Sequence, residues 1–181
     1  MRTTVSIIVL VLTSNAALAQ APHIDRIRVT EYGVYTVDRD IQGRDALGIN
    51  KALASNVRHA ATLRTIPVQI GTTFGFRYQV FGEPHAAPVE LRQVVIFPLP
   101  GLNPSSFSKP ITQDEFVLQT RIGETSYASY TLEDAFELVP GKWLFEIWQG
   151  NRKLATQTFG IEGETSRVER MSNECDSCVG F

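Results

Sequence analysis

The chain has few of the residues that mark common catalytic, metal and nucleic-acid sites. Its 181 residues include two cysteines and three histidines, and no two histidines have the spacing of metal ligands on one element. The Gly-x-Ser-x-Gly sequence of a hydrolase nucleophile is missing. The 17 basic residues do not cluster, and 19 acidic residues bring the net charge to −2. The sequence therefore predicts a protein that is not an enzyme, holds no cofactor and does not bind nucleic acid.

Long apolar runs are also scarce, and the clearest one lies at the N-terminus. Residues 5–12 are too few to cross a bilayer, which takes about 20. Arg2 precedes this run, and Ala17 and Ala19 follow it as the small residues that a signal peptidase accepts. Residues 1–19 are therefore predicted to be a cleavable signal peptide. We expect a periplasmic or secreted protein that does not insert into a membrane after cleavage.

The rest of the chain is dominated by strand-like alternation. Even positions from 66 to 80 are apolar or aromatic except Thr72, which predicts one long strand with a buried face. Trp143, Phe145 and Ile147 alternate in the same way, and residues 153–161 return after a turn at Gly150. Further strands are predicted at 26–34 (either with a bulge near residues 30–31 or as two short strands), 89–99, 116–122 and 127–132. About seven strands favour an all-β, mainly antiparallel sandwich over residues 20–161.

Two segments depart from this pattern. Residues 45–63 carry Ile49, Leu53, Val57 and Ala60 at steps of 4, 4 and 3, which suggests a short helix in the first long connection. Residues 133–136 suggest one helical turn, and we expect Glu133, Asp134 and Glu137 around it to form a solvated acidic face. Residues 162–181 are charged, with few apolar side chains, and are predicted to be a flexible tail.

Two motifs in predicted strands resemble a known family. They read IPVxIGxxFG at 66–75 and VPGxWxFEI at 139–147, with Phe159 following. On these residues the chain resembles the bacterial domain-of-unknown-function 3859 family from about residue 27 to residue 161. The resemblance implies an immunoglobulin-like sandwich in a small exported protein. It implies no activity, because no catalytic residue is attached to the family.

The predicted tail contains a Cys-x-x-Cys sequence, Cys175 to Cys178. In an oxidising compartment such a pair is expected to form a disulfide. Metal binding and thiol redox chemistry are the alternatives. The flanking Glu174 and Asp176 disfavour the thiolate that redox chemistry needs, and a structural zinc site takes four ligands.

Two other side chains are candidates for contact with a ligand or partner. Trp148 is separated from Trp143 by an odd number of positions, so it points outward if Trp143 is in the core. An outward tryptophan is either covered by a loop or available to a partner. His85 lies in a predicted turn, where its ring can reach a partner.

Together these features predict a non-enzymatic binding or accessory module of the bacterial envelope. Its partner is an unknown protein or small molecule. The alternative is a periplasmic metal-binding or thiol-redox protein that acts through Cys175 and Cys178.

Signal cleavage predicts a mature N-terminus at Gln20. Edman or mass-spectrometric sequencing of the protein from the periplasm or the medium should find that residue first. An intact Met1 in a soluble cytoplasmic fraction would contradict the prediction.

Overall fold

The computed structural model describes residues 21–163 apart from positions 46, 48 and 106, with backbone alone at 44 and 50–53. The predicted signal peptide, and the predicted tail from residue 164 onward with Cys175 and Cys178, lie outside the described residues. In the described part, no helix is long and apolar enough to cross a membrane.

In the described residues, nine strands form two packed sheets. The elements are β1 (His23–Arg44), β2 (Asn50–Ala61), β3 (Thr65–Pro67), β4 (Thr73–Glu83), β5 (Pro88–Ile96), β6 (Gln113–Arg121), β7 (Thr125–Thr131), the 3₁₀ turn η1 (Ala135–Glu137), β8 (Gly141–Gln149) and β9 (Arg152–Glu162). The four-stranded sheet has the order β2-β1-β4-β7, and the five-stranded sheet has the order β3-β9-β8-β5-β6. All neighbours are antiparallel except β3 and β9, which are parallel. The all-β sandwich is confirmed, with nine strands in the described part of the chain instead of about seven.

The predicted long strand at 66–80 is two strands in different sheets. β3 pairs with β9 in the five-stranded sheet, and β4 pairs with β1 and β7 in the other. The chain crosses between them through a turn in which Gly71 has a φ of +87°, a conformation that other residues rarely adopt. Ile70 in this turn is exposed. The two-residue period continues through the crossing, so it concealed the change of sheet.

The predicted helix at 45–63 is wrong, because most of this segment forms β2. β2 pairs antiparallel with β1 from Ala61 opposite Val34 to Asn50 opposite Arg44. The pairing is interrupted by three register shifts, and Asn56 has a positive φ of 49°. Bulges of this kind break a two-residue period, which left apolar spacings that resemble those of a helix.

The core lies between the two sheets and is rich in aromatic rings. Phe74, Phe76, Tyr78 and Val80 of β4 are fully buried, as the even-position pattern predicts. The Phe74 ring centroid lies 5.7, 5.5 and 5.4 Å from those of Trp143, Phe145 and Phe159 in edge-on geometry. Such pairs contribute about 0.5–1.5 kcal/mol each beyond the area that they bury.

The hairpin of β1 and β2 extends well beyond the sheet. β1 pairs with β4 as far as Tyr35, opposite Thr73, and then continues with β2 alone. We call this two-stranded extension, residues 36–56, the arm. Near its tip, Asp45 Oδ1 accepts hydrogen bonds from the backbone N–H groups of Leu47 and Ile49, at 2.8 and 3.0 Å. Ile49 is 3% exposed and belongs to the core, so the arm folds back onto the sandwich.

The bulge predicted near residues 30–31 is present as a register shift between Val29 and Glu31. β1 has another shift between Ile24 and Arg26. The two shifts rotate successive parts of β1, so that a strand of 22 residues follows the twist of the sheet and then leaves it.

The inward face of β4 predicts a large difference between neighbouring substitutions. Phe76→Ala should lower the free energy of unfolding by about 3–5 kcal/mol, because it opens a cavity in the aromatic core. Gln79→Ala, at a half-buried position of the outer face, should change it by about 0.5 kcal/mol. Urea denaturation of both variants measures the difference, and equal losses would mean that the inward face is misassigned.

Candidate functional site

A buried carboxylate lies where the arm meets the end of the sandwich. Glu137 in η1 is 1% exposed. Its Oε1 accepts a hydrogen bond from the Tyr130 hydroxyl at 2.7 Å, and its Oε2 accepts from the backbone N–H groups of Glu133 and Asp134 at 2.6 and 2.9 Å. The expected helical turn is therefore present, but the prediction of a solvated acidic face is wrong at Glu137. Its carboxylate is drawn inward because it supplies the acceptors for three donors.

Tyr130 links this carboxylate to the aromatic core. Its ring lies 5.2 Å from Trp143 and 5.8 Å from Phe97. Burial raises the pKa of Tyr130 far above its usual value, and the negative charge of Glu137 and the hydrogen bond between them raise it further. The hydroxyl therefore stays protonated and remains a donor to Glu137.

An ion pair joins the arm to the segment that follows β7. The guanidinium of Arg39, on the arm, contacts the carboxylate of Glu133, and the two side chains are 20% and 17% exposed. Burial lowers the pKa of Arg39, and the nearby negative charge of Glu137 opposes that shift. Because the pair is largely shielded from water, salt screens it less than an exposed pair.

Two cavities flank the ion pair. One has a volume of about 240 Å³ and lies between the arm, β6 and β7. The other, of about 470 Å³, is more open and includes Tyr35 and the exposed Ile70. Both are lined by Val37, Arg39, Thr131 and Glu133. The Arg39–Glu133 contact is therefore the partition between them.

The smaller cavity combines an apolar wall with ionised groups. Its apolar side chains are Val37, Ile49, Ala54, Phe116 and Leu118. Glu133 and Glu137 face Arg39 among its lining residues, so the ionisable groups carry one net negative charge. Gln93, which is buried, donates to the Ser129 carbonyl at 3.1 Å and closes the floor. This arrangement suits the binding of a small molecule that is partly apolar.

Covalent chemistry has little support in this cavity. Among its described lining residues there is no cysteine and no histidine, so Ser129 has no imidazole base beside it to activate its hydroxyl. Nor does any group of three or more histidine, cysteine, aspartate or glutamate residues in the described part of the chain have the arrangement to hold a metal ion. The cavity can bind and orient a ligand through its charges and hydroxyl groups.

Sequence reasoning missed Arg39 and Glu137 as site residues. Arg39 is one of several charged residues in a strand that the sequence did not resolve. Glu137 carried a usable signal, since Asp134-x-x-Glu137 has the spacing of a capping box. That motif predicts a glutamate side chain directed back at the backbone of its own turn rather than into water.

Trp148 lies on the outer face of the five-stranded sheet and is half-buried. Its indole Nε1 donates to Glu146 at 2.9 Å. The Lys153 ammonium and the Arg92 guanidinium lie 5.3 and 5.9 Å from its ring centroid. Side chains of its own sheet therefore surround the ring, and a contact between Trp148 and a partner remains a prediction.

His85 is exposed in the turn between β4 and β5. Its imidazole packs against Gly123, where a Cβ atom would lie 2.4 Å from Nε2. The Gly123 φ of +92° also restricts that position. A contact between His85 and a partner likewise remains a prediction.

Another polar cluster, on the outer face of the four-stranded sheet, joins β2 to β1 and β4. His59 lies with Nε2 3.1 Å from the Tyr32 carbonyl oxygen and Nδ1 3.8 Å from Glu31. Arg77 donates to the Val57 carbonyl at 2.6 Å. These contacts bridge three strands, so we assign the cluster a structural role at the base of the arm.

Comparisons with known proteins identify the fold but no activity. A family model described as a domain of unknown function (DUF3859) matches residues 24–161. The crystal structure of an immunoglobulin-like protein from Pseudomonas aeruginosa is similar, with 24% identity, a TM-score of 0.53, and coverage of 80% of this chain and 99% of that one. A β-D-glucoside glucohydrolase from Trichoderma reesei is similar at 11% identity with a TM-score of 0.34, over 80% of this chain and 19% of that one. No curated protein matches the chain.

Removal of the Glu137 carboxylate should destabilise the fold. Glu137→Ala leaves the Tyr130 hydroxyl and two backbone N–H groups without their acceptor, at a cost of about 3 kcal/mol or more in the free energy of unfolding. Glu137→Gln keeps one carbonyl oxygen and should fall between the parent and the alanine variant. Glu115→Ala removes an exposed partner of Arg92 and should change stability by about 0.5 kcal/mol. Urea denaturation measures all three, and equal effects of Glu137→Ala and Glu115→Ala would contradict this role.

Proposed function

The chain belongs to the DUF3859 family, whose function is unknown, and from that starting point we propose that it is an exported, non-enzymatic binding module of the bacterial envelope. The cavity of about 240 Å³ beneath the arm carries the proposal. Buried charged groups, tyrosine hydroxyls and apolar side chains all line this cavity. Small-molecule sites usually have this composition.

The export part of the proposal is supported by the sequence of residues 1–19. A short basic start, an apolar run and small residues before Gln20 are typical of a cleaved secretory signal. Periplasmic or secreted localisation follows if the segment acts as one. An immunoglobulin-like fold alone does not define a function, so the binding activity has to be argued from the cavity.

The cavity chemistry favours a ligand with a positive group and an apolar part. Glu133 and Glu137 outnumber Arg39, so the net charge of the lining attracts a cation. Phe116, Leu118 and Ile49 provide the surface that an aromatic or aliphatic body would contact. The volume is sufficient, because an apolar cavity of about 150 Å³ already holds a benzene molecule. We infer that the ligand class is a small aromatic or aliphatic amine.

A protein partner is a further part of the proposal. Trp148 and His85 lie away from the arm, on the outer face of β8 and in the turn after β4. Either side chain would serve an accessory contact with another envelope protein, while the cavity holds the small ligand.

Three ligands of equal size test the cavity. Benzylamine, benzyl alcohol and benzoate differ mainly in charge, and each is added to the protein while its thermal unfolding is followed. We expect benzylamine to raise the unfolding midpoint most and benzoate least, because binding to the folded state alone stabilises it. If none of the three raises the midpoint, the proposed ligand class is wrong.

Two matched variants locate the effect. Ala54→Phe places a ring in the cavity from an exposed position of the arm, so it should abolish the response to benzylamine. Ala60→Phe makes the same change at an exposed position of β2 outside the cavity lining, and it should keep the response. A response that survives Ala54→Phe would place the ligand elsewhere.

A further inference from the structure

Two arginines of β1 share one aromatic ring on the outer face of the four-stranded sheet. Arg26 is paired with Phe81 of β4, and Arg28 with Gln79. The guanidinium carbons of Arg26 and Arg28 lie 4.6 and 5.2 Å from the Phe81 ring centroid. Both arginines are exposed, and Ile27 between them packs against the core. We call Arg26 and Arg28, which share the Phe81 ring, the arginine pair.

Local contacts hold the two side chains in place. The register of β1 against β4 is uninterrupted from Arg26 to Val29. Because residues two apart in a strand share a face, both arginines project from the same face. Arg28 donates to Gln79 Oε1 at 3.0 Å. Cation–π contact with one ring adds about 0.5–1 kcal/mol at an exposed site. The contacts therefore keep two like charges together despite their repulsion.

The positive charge of the arginine pair is not neutralised within the described part of the chain. No aspartate or glutamate described there forms an ion pair with Arg26 or Arg28. The neighbouring Asp25 lies instead 3.5 Å from His23. Arg39, Arg77 and Arg92, by contrast, each lie within ion-pair distance of a glutamate. Two guanidinium groups held side by side without an acidic partner in the described residues are therefore available to an external anion.

We propose that the arginine pair is a binding site for a phosphate monoester group. Guanidinium groups bind phosphate through paired N–H donors, and two of them match the double charge of a monoester better than the single charge of a carboxylate. Thr125, the neighbour of Gln79 across the sheet, offers a further hydroxyl group beside the site. A phosphate at the surface of an anionic lipid and free inorganic phosphate share this chemistry.

The site is independent of the amine cavity. Arg26 and Arg28 lie in the part of β1 that pairs with β4, whereas the cavity residues Val37 and Arg39 lie in the arm. A phosphate on the arginine pair therefore leaves the cavity open, and failure of either proposal does not affect the other.

Two measurements on the full mature chain test the site. Flotation with vesicles of phosphatidylcholine containing phosphatidic acid, against phosphatidylcholine alone, tests a lipid phosphate. Calorimetric titration with inorganic phosphate tests a free one. Binding in either arm supports the site and identifies the source of the phosphate, and the absence of binding in both overturns it.

Three variants separate a built site from general charge. Arg26→Gln with Arg28→Gln should weaken binding about tenfold or more, since each arginine near an anionic surface contributes about 1 kcal/mol. Phe81→Leu keeps both charges but removes the ring, and it should weaken binding about two- to fivefold. Arg58→Gln with Lys142→Gln removes two exposed charges elsewhere and should leave binding nearly unchanged. An equal loss in this control, with all variants folded by circular dichroism, would overturn the proposal.

Discussion

The packing of Phe74 between the two sheets is the contact on which the rest of the structure depends. Its ring meets rings of β8 and β9 at 5.4–5.7 Å, and it lies 6.5 Å from Tyr130 of the neighbouring β7. The following Gly75 allows β7 to approach, since a Cβ there would lie 2.1 Å from the Ala128 carbonyl oxygen. Tyr130 is thereby fixed in the core, and its hydroxyl fixes Glu137. The Glu137 carboxylate beside the cavity is thus held from one side by the aromatic core, through Tyr130, and from the other by the backbone N–H groups of Glu133 and Asp134.

The arm is held by two contacts of unequal strength. Complete burial of an isoleucine such as Ile49 contributes about 1.5–3 kcal/mol. In the Arg39–Glu133 ion pair, which is largely shielded from water, the cost of removing both charges from water offsets much of their attraction. Burial of the arm tip therefore supplies most of the stability, and the ion pair sets the position of the arm over the cavity. The proposed cationic ligand would compete with the weaker contact at Glu133, so it would open the boundary between the two cavities without loss of the fold.

Sequence patterns predicted the parts of this molecule that depend on local periodicity. The buried face of β4, the β8–β9 hairpin and the bulge in β1 follow from alternation and turn residues. The patterns failed where pairing partners decide the outcome. β2 is extended because β1 pairs with it through three register shifts, and the 66–80 segment divides because Thr65–Pro67 finds β9 as its neighbour. Arg39 and Glu137 line the same cavity although about 100 residues of chain separate them, and nothing local in either segment specifies that they come together.

The single strand β1 connects two surfaces of opposite charge. Its first half carries Arg26 and Arg28 without acidic partners among the described residues, and its second half brings Arg39 to a cavity with an excess of carboxylates. Interactions between exposed charges are screened beyond about 8–10 Å at moderate ionic strength, so neither surface cancels the other. On the two proposals above, the sheet would bind an anion and the space beneath the arm would bind a cation. Because the arginine pair and the cavity carboxylates act only over short distances, each proposed site would select its ligand by its own local geometry.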